Sequence, residues 1–265
     1  GERLSIITSK AQTTRHRIMG IINGEDFQIV YSDTPGILKP EYELHQSMMR
    51  FVNTSLDDAD VVLLVADLYE KIDEELLNKL KKIEVPVVLI INKSDLAKGT
   101  QMEDKINYWK ENVKYDDIIV ISALKGENID KVFECIISKL PQHPPYFPKD
   151  QLTDKPERFF AAEIIREKIF LNYKKEVPYS CEVVVSEFLE EETIIRIRGE
   201  IYVERKSQRG ILIGNKGEAL KKVGTQARIE MEEFFGKKVF LATHVKVEAD
   251  WRKKDKKLKG FGYSN

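Results

Sequence analysis

Three short runs of uninterrupted apolar residues, at 61–66, 85–91 and 118–121, constrain this chain more than any other feature. They are too short for buried helices, and their apolar side chains run on without alternating, the pattern of strands covered on both faces. Helical sequence follows each: mostly polar at 74–82 and 102–113, then a stripe of Ile129, Val132, Phe133, Ile136, Ile137 and Leu140 at helical spacing. Strand and helix in alternation predict an α/β domain built on a parallel, doubly wound sheet. Such sheets bind ligands at the carboxyl ends of their strands, and candidate functional residues are to be sought there.

The run 27–32 precedes this unit, after a hairpin turn signal, Asn23-Gly24-Glu25-Asp26, and it closes on Asp33-Thr34-Pro35-Gly36. Residues 1–19 are basic, rich in hydroxyls and without an apolar period, so they read as a mobile loop; a helix is predicted over 43–56. At 141–148, four prolines in eight residues end the last helix and form a stiff linker. Beyond it the order becomes helix (157–172), strand (180–188), strand (193–203), a helix pair around Gly214 (207–235) and strand (238–248), an α+β module. The chain divides into a first domain over 1–140, a linker over 141–154, a second domain over 155–250 and a basic tail over 251–265.

Charge divides the same way. The net −1 conceals 24 basic and 18 acidic residues over 155–265 against 19 and 26 before that point. An acidic half precedes a basic one, which favours a polyanionic partner for the second. Cys135 and Cys181 stand far apart without the His spacing of a zinc site. No apolar run is long enough to span a bilayer, and the N-terminus has no signal-peptide pattern. The expectation is a cytosolic protein in a reducing compartment.

At the end of 27–32, Asp33 can hold a hydrated magnesium ion, and Gly36 lets a backbone N–H approach a terminal phosphate. Asn92-Lys93-Ser94-Asp95 follows 85–91 directly. The Asp95 carboxylate can accept two hydrogen bonds from the N1–H and exocyclic amine of guanine, a pattern adenine lacks. Asn92 would tie neighbouring loops together, and Lys93 can lay its aliphatic stem along the base. Ser122-Ala123-Leu124, after the last strand, can bring a backbone N–H to the guanine O6. Each group alone reads better as a capped loop, but three in this order at strand ends point to a guanine nucleotide.

In the second half, Gly214-Asn215-Lys216-Gly217 lies between an apolar turn, Ile211-Leu212-Ile213, and a helix running through Leu220, Val223, Ala227 and Met231. Two glycines let the backbone pass close to a nucleic-acid strand, Lys216 meets phosphates, and the adjoining groove takes unstacked bases. Arg205, Lys206, Arg209, Lys221 and Lys222 add positive charge around it. The basic run 252–259 reads as a solvated end.

The order Thr13-Thr14, Asp33-Thr34-Pro35-Gly36, Asn92-Lys93-Ser94-Asp95, Ser122-Ala123-Leu124 resembles the translation-factor-like GTPases. Lys10-Ala11-Gln12-Thr13-Thr14-Arg15-His16-Arg17 is similar to the switch loop of the Era GTPases, and residues 155–173 resemble that family again. The second-half element order with its Gly-x-x-Gly loop resembles the bacterial, type II KH fold. The resemblance covers nearly the whole chain and implies a P-loop GTPase domain joined to a type II KH domain. It implies GTP or GDP and Mg2+ as cofactors, and hydrolysis by phosphoryl transfer to water.

Thr14, Asp33 and Gly36 would then serve catalysis, with Asp33 and either Thr13 or Thr14 at the metal. The nucleotide set would be Thr13, Thr14, Asp33, Thr34, Pro35, Gly36, Asn92, Lys93, Asp95, Ser122, Ala123 and Leu124. RNA would meet Arg209, Ile213, Gly214, Asn215, Lys216, Gly217 and Lys221. The implied partner is small-subunit ribosomal RNA near its 3′ end, bound by a monomer that assists small-subunit assembly and touches membranes peripherally. Residues 163–168 are read as core helix, with Phe160, Ile164 and Ile165 inward. Ile37 stands where Ras-like proteins carry a water-orienting glutamine, which implies slow intrinsic hydrolysis.

One departure is large: no G-x-x-x-x-G-K-[ST] occurs in the 265 residues. The family requires it to cradle the phosphates, and the resemblance implies that it lies upstream of Gly1. Its absence here leaves room for a competing reading, an RNA-binding assembly module that does not hydrolyse nucleotide. A GTPase that modifies tRNA shares the first domain but not the Gly-x-x-Gly module. Residues 1–265 alone are therefore expected to bind GTP poorly even with magnesium, and micromolar affinity in a titration of that chain would place the nucleotide site elsewhere.

Overall fold

The structure, a computed structural model, describes residues 4–8, 10–72 and 74–263. In the first half, β1 (Ile18–Asn23) and β2 (Gln28–Asp33) form an antiparallel hairpin with Ile18 opposite Asp33. A Cβ on Gly24 would fall 2.2 Å from the Phe27 ring, so any side chain there would force that ring to move. There follow α1 (Glu43–Asp57), β3 (Val62–Asp67), α2 (Glu74–Leu80), β4 (Val87–Asn92), α3 (Gln101–Asn112), β5 (Asp117–Val120) and α4 (Ile129–Lys139).

Strands β3, β4 and β5 pair in parallel, with β4 central. On β4, Leu89 and Ile91 pack toward Trp109, Leu76 and Val113, whereas Val88 and Ile90 pack toward Ile121 and Val132. Alternate side chains of one strand thus enter cores on opposite faces, the physical reason its sequence is apolar throughout. A cleft of about 560 Å³ separates β1 and β2 from this sheet, lined by Ile29, Thr34, Ile37, Val62, Leu64 and Leu80 among others.

The proline-rich linker is less free than its composition suggests. Gln28 donates to the Phe147 carbonyl at 2.8 Å and accepts the Phe147 N–H at 2.9 Å. The Ile21 N–H donates to the Leu152 carbonyl at 2.8 Å, and Gly20 pairs with Thr153 in an antiparallel bridge. The end of the linker therefore runs along the outer edge of β1.

The second half contains α5 (Glu157–Asn172), β6 (Glu182–Glu190), β7 (Ile194–Val203), α6 (Lys206–Ile213), α7 (Glu218–Phe235), β8 (Lys238–Val247) and α8 (Asp255–Gly260). Strand β7 is central, antiparallel to β6 and parallel to β8. Ile197 and Ile201 of β7 meet Ile165 and Ile169 of α5, Leu212 of α6, and Val223, Ala227 and Met231 of α7 in one core.

Two segments differ from expectation. Residues 4–8 and 10–17, part of the loop predicted to be mobile, form neither helix nor strand but pack against the molecule, with Arg15 and His16 buried; residues 1–3 and 9 lie outside the described residues. The basic run after residue 250 is docked: Trp251, Leu258 and Tyr263 are buried against Leu44, Met48, Met49 and Val52, while Lys253, Lys254 and Lys256 face solvent. Among the described residues no helix is long and apolar enough to cross a membrane. Trp251→Ala is expected to cost about 3–5 kcal/mol in urea unfolding and Lys256→Ala about 0.5 kcal/mol or less; equal midpoints for the two variants would refute the docking.

Candidate functional site

The carboxyl ends of β2, β3 and β4 each carry a polar residue, Asp33, Asp67 and Asn92. Asn92 organises the loops around it: its Oδ1 accepts the Lys93 N–H at 2.7 Å and the Ala123 N–H at 3.0 Å, tying the loop after β4 to the loop after β5. The Ser94 N–H donates to the Ile121 carbonyl at 3.1 Å. Buried Ser122 donates its hydroxyl to Asp95 Oδ1 at 2.6 Å and accepts the Lys125 N–H at 3.2 Å. One acid, one amide and the backbone of Ala123 are thereby held together at a sheet edge, with Leu124 83% exposed beside them. The structure brings together Asn92, Lys93, Asp95, Ser122 and Ala123 as the sequence anticipates.

At the neighbouring strand end, Asp33 accepts hydrogen bonds from the Ser5 hydroxyl at 2.6 Å, the Thr34 backbone and the Thr14 side chain. Loss of surrounding water raises its carboxyl above the ordinary range in spite of these donors. Of the two threonines the sequence leaves open, Thr14 is the one at Asp33. Thr13 instead offers its carbonyl to Arg166 of α5, at 2.5 Å. Pro35 is buried and Gly36 exposed, with nothing near where a Cβ would stand, while Thr34 and Ile37 line the cleft beside β2.

Residues 10–17 are held by the second domain. Arg166 is fixed by a two-pronged pair with Glu163, at 2.7 and 2.6 Å. Lys10 reaches the carbonyls of Phe170 and Tyr173. Arg15 donates to Glu182 at 2.9 Å and to the carbonyls of Cys181 and Tyr179 at 2.7 and 2.8 Å. His16 stacks on Tyr263 with ring centroids 4.3 Å apart.

The Gly-x-x-Gly loop joins α6 to α7. Gly214 has φ 72° and ψ −174°, and a Cβ there would sit 2.6 Å from the Ala219 Cβ; Gly217 has φ 83°. Both positions exclude side chains, one by backbone and contact, the other by backbone alone. Between them Lys216 is left-handed at φ 49°. Tyr173 anchors the start of the loop by donating to the Leu212 carbonyl at 2.6 Å, and burial pushes its phenol up to about 12. Arg209, Asn215, Lys216 and Lys221 are exposed, Ile213 is half-buried and Ile211 is 50% exposed. Among the described residues no ion pair neutralises this cluster, whereas Arg196 and Arg198 on the sheet are paired with Glu191 and Glu187.

Asp67, Glu163, Arg166 and Ser5 were not singled out as site residues. Asp67 carried the same signal as Asp33, an acid closing an apolar strand. Arg166 of α5 had none, because the carbonyl it holds belongs to Thr13 in the other domain.

A doubly wound α/β domain presenting these strand-end loops, followed by strands β6–β8, helices α5–α7 and a Gly-x-x-Gly turn, defines a P-loop GTPase domain joined to a KH domain. The comparisons agree. Residues 1–93 match the family described as 50S ribosome-binding GTPase, and residues 176–252 match the KH domain. The chain is 44% identical to a GTPase Era of Syntrophus aciditrophicus over 269 residues, covering 100% of this chain and 88% of that protein. It is 45% identical to the chloroplastic GTPase ERA1 of Zea mays over 270 residues, covering 99% of this chain but only 65% of that longer protein. A structure of Era in complex with MgGDPNP and nucleotides 1506–1542 of 16S ribosomal RNA superimposes with a TM-score of 0.90 at 37% identity, covering 98% of this chain and 90% of that one. This chain belongs to the Era GTPase family.

Burial lowers the proton affinity of His16; Glu182 and Glu163 oppose that effect, while Arg166 and Lys155 reinforce it. An unfolded chain takes up this proton near pH 6.5, and the folded one resists it, so folded stability is expected to fall as pH drops through 6.5. Thermal midpoints of wild type and His16→Phe at pH 7.5 and 5.5 test this. The acid-induced fall should shrink in the variant, and an equal fall in both would show that His16 does not contribute to it.

Proposed function

We propose that the protein binds and hydrolyses GTP with magnesium, and that its KH domain binds small-subunit ribosomal RNA near the 3′ end in the course of small-subunit assembly. The observation that carries the reading is the guanine cradle: one amide, Asn92, fixes the loop that presents Asp95 against the loop of residues 122–124. Among the described residues, protein hydrogen bonds engage only one Asp95 oxygen, Oδ1. The carboxylate retains acceptor capacity for the two guanine donors. The solved relative bound to MgGDPNP and 16S ribosomal RNA supports the same pairing of ligands for this chain.

Thr14 and Asp33 fit a magnesium ion, because a hydroxyl and a carboxylate meet at one strand end and both are hard oxygen donors. When bound, the ion would neutralise phosphate charge. The chain's own residues orient the base through Asp95 and hold the Thr13-Thr14 segment against Asp33. Ile37 presents an apolar side chain toward the cleft and cannot orient water by hydrogen bonding, which favours slow intrinsic hydrolysis.

The test is a titration of single-stranded 3′-end ribosomal RNA at fixed salt against wild type and a variant with Asn215→Asp and Lys216→Asp. Two carboxylates placed against the RNA backbone should weaken binding by more than about tenfold, while GTP hydrolysis by the complete protein without RNA stays near normal. Undiminished RNA binding would move the RNA contact away from the Gly-x-x-Gly loop.

A further inference from the structure

We propose that Asp67 is a positioning residue of the guanine-binding edge and acts through Lys93; the proposal rests on the guanine-nucleotide reading above. Asp67 ends β3 in register with Asn92, which ends β4, so the two polar side chains leave adjacent strands at the same edge. The Lys93 ammonium donates to Asp67 Oδ2 at 2.6 Å. Asp67 Oδ1 accepts the backbone N–H groups of Tyr69 and Glu70 at 2.7 and 2.8 Å, and Glu70 accepts the Asp67 N–H at 3.2 Å. The turn after β3 fixes the carboxylate independently of the lysine. Burial raises the acid's affinity for a proton, but Lys93 and the two N–H groups outweigh it and hold the carboxyl below its usual range.

The other end of Lys93 is equally constrained. Its backbone sits at φ 67° and ψ 35°, a region sparsely populated by residues with a Cβ, and its N–H is held by Asn92. A lysine fixed at both ends stretches its four-carbon stem between two strand ends as an apolar strip. A free lysine would lose rotamer freedom each time a base settled on it, whereas here the fold has ordered it beforehand. The nearby Lys105 is directed elsewhere, to the Glu70 carbonyl and the rings of Tyr108 and Trp109. Asp67 therefore sets how tightly the edge holds any purine nucleotide, while Asp95 sets which purine it holds.

Asp67→Asn keeps an oxygen for the two N–H groups but loses the charge that tethers the ammonium. In the complete protein, Kd values for GDP and IDP are expected to rise together by about three- to tenfold, with their ratio, the RNA affinity and the thermal midpoint unchanged. Asp67→Glu retains the charge and should lie closer to wild type. Lys93→Met retains the apolar stem without the ammonium, and adding Asp67→Asn to it should cause no further loss. Unchanged Kd values in Asp67→Asn, the same additional loss in the Lys93→Met background, or a collapsed GDP-to-IDP ratio would each overturn the proposal. A wild-type protein that binds no guanine nucleotide, or an Asp95→Asn variant with an unaltered GDP-to-IDP ratio, would overturn the underlying reading instead.

Discussion

A guanidinium withdrawn from water needs a counter-charge and an acceptor for its N–H groups, and Arg15 finds both outside its own domain. Glu182 supplies the charge, and the carbonyls of Tyr179 and Cys181 complete the set. Tyr263 donates its hydroxyl to the same Glu182 oxygen at 2.6 Å, and Trp251 lies near the guanidinium while its own N–H is satisfied by the Ser180 carbonyl at 3.0 Å. Three distant stretches of chain meet at one ion pair. Deleting one member would strand a buried charge, a loss of about 3–5 kcal/mol. The neighbours of Arg15 inherit its placement: Thr14 at Asp33, Thr13 at Arg166 and His16 on Tyr263.

Helix α5 stands between the two candidate sites. Arg166 holds the carbonyl of Thr13, and Tyr173, about two helical turns further on, holds the carbonyl of Leu212 where α6 gives way to the Gly-x-x-Gly loop. A second connection runs through Arg252, which lies over the ring of Tyr42 just before α1 and pairs with Glu204 just before α6. Displacement of residues 10–17 or of α1 must break these contacts or carry the KH helices with it. That is a physical route between the sites, composed of hydrogen bonds and packed side chains.

Elements that bury themselves locally were legible in the sequence. Strand β4 announced itself because both of its faces are covered, and α5 and the Asn92-to-Asp95 loop followed from apolar spacing and strand-end polarity. Elements ordered by remote partners were not. Residues 10–17 carry charge and hydroxyl groups that read as solvated, and nothing near them in sequence reveals Glu182, Arg166 or the Phe170 carbonyl. Glu163, Arg166, Glu167 and Lys168 lie on a helix read from its apolar residues, yet all four are buried, the first two within the contact with the Thr13 segment. Trp251, Leu258 and Tyr263 were hidden among lysines whose heads do face water. The link from Asp67 to Lys93 was missed for a related reason, since two strand ends in register are far apart in sequence.

The packing of residues 251–263 on α1 also bears on the order in which the molecule can be completed. Leu44, Met48, Met49 and Val52 share their core with Trp251, Leu258 and Tyr263, side chains made only after the entire KH module has been synthesised. While translation is under way, that stripe of α1 lacks its cover and remains open to chaperones or to unwanted association. The first domain can build its parallel sheet early, but the seal on α1 is made only after the KH module.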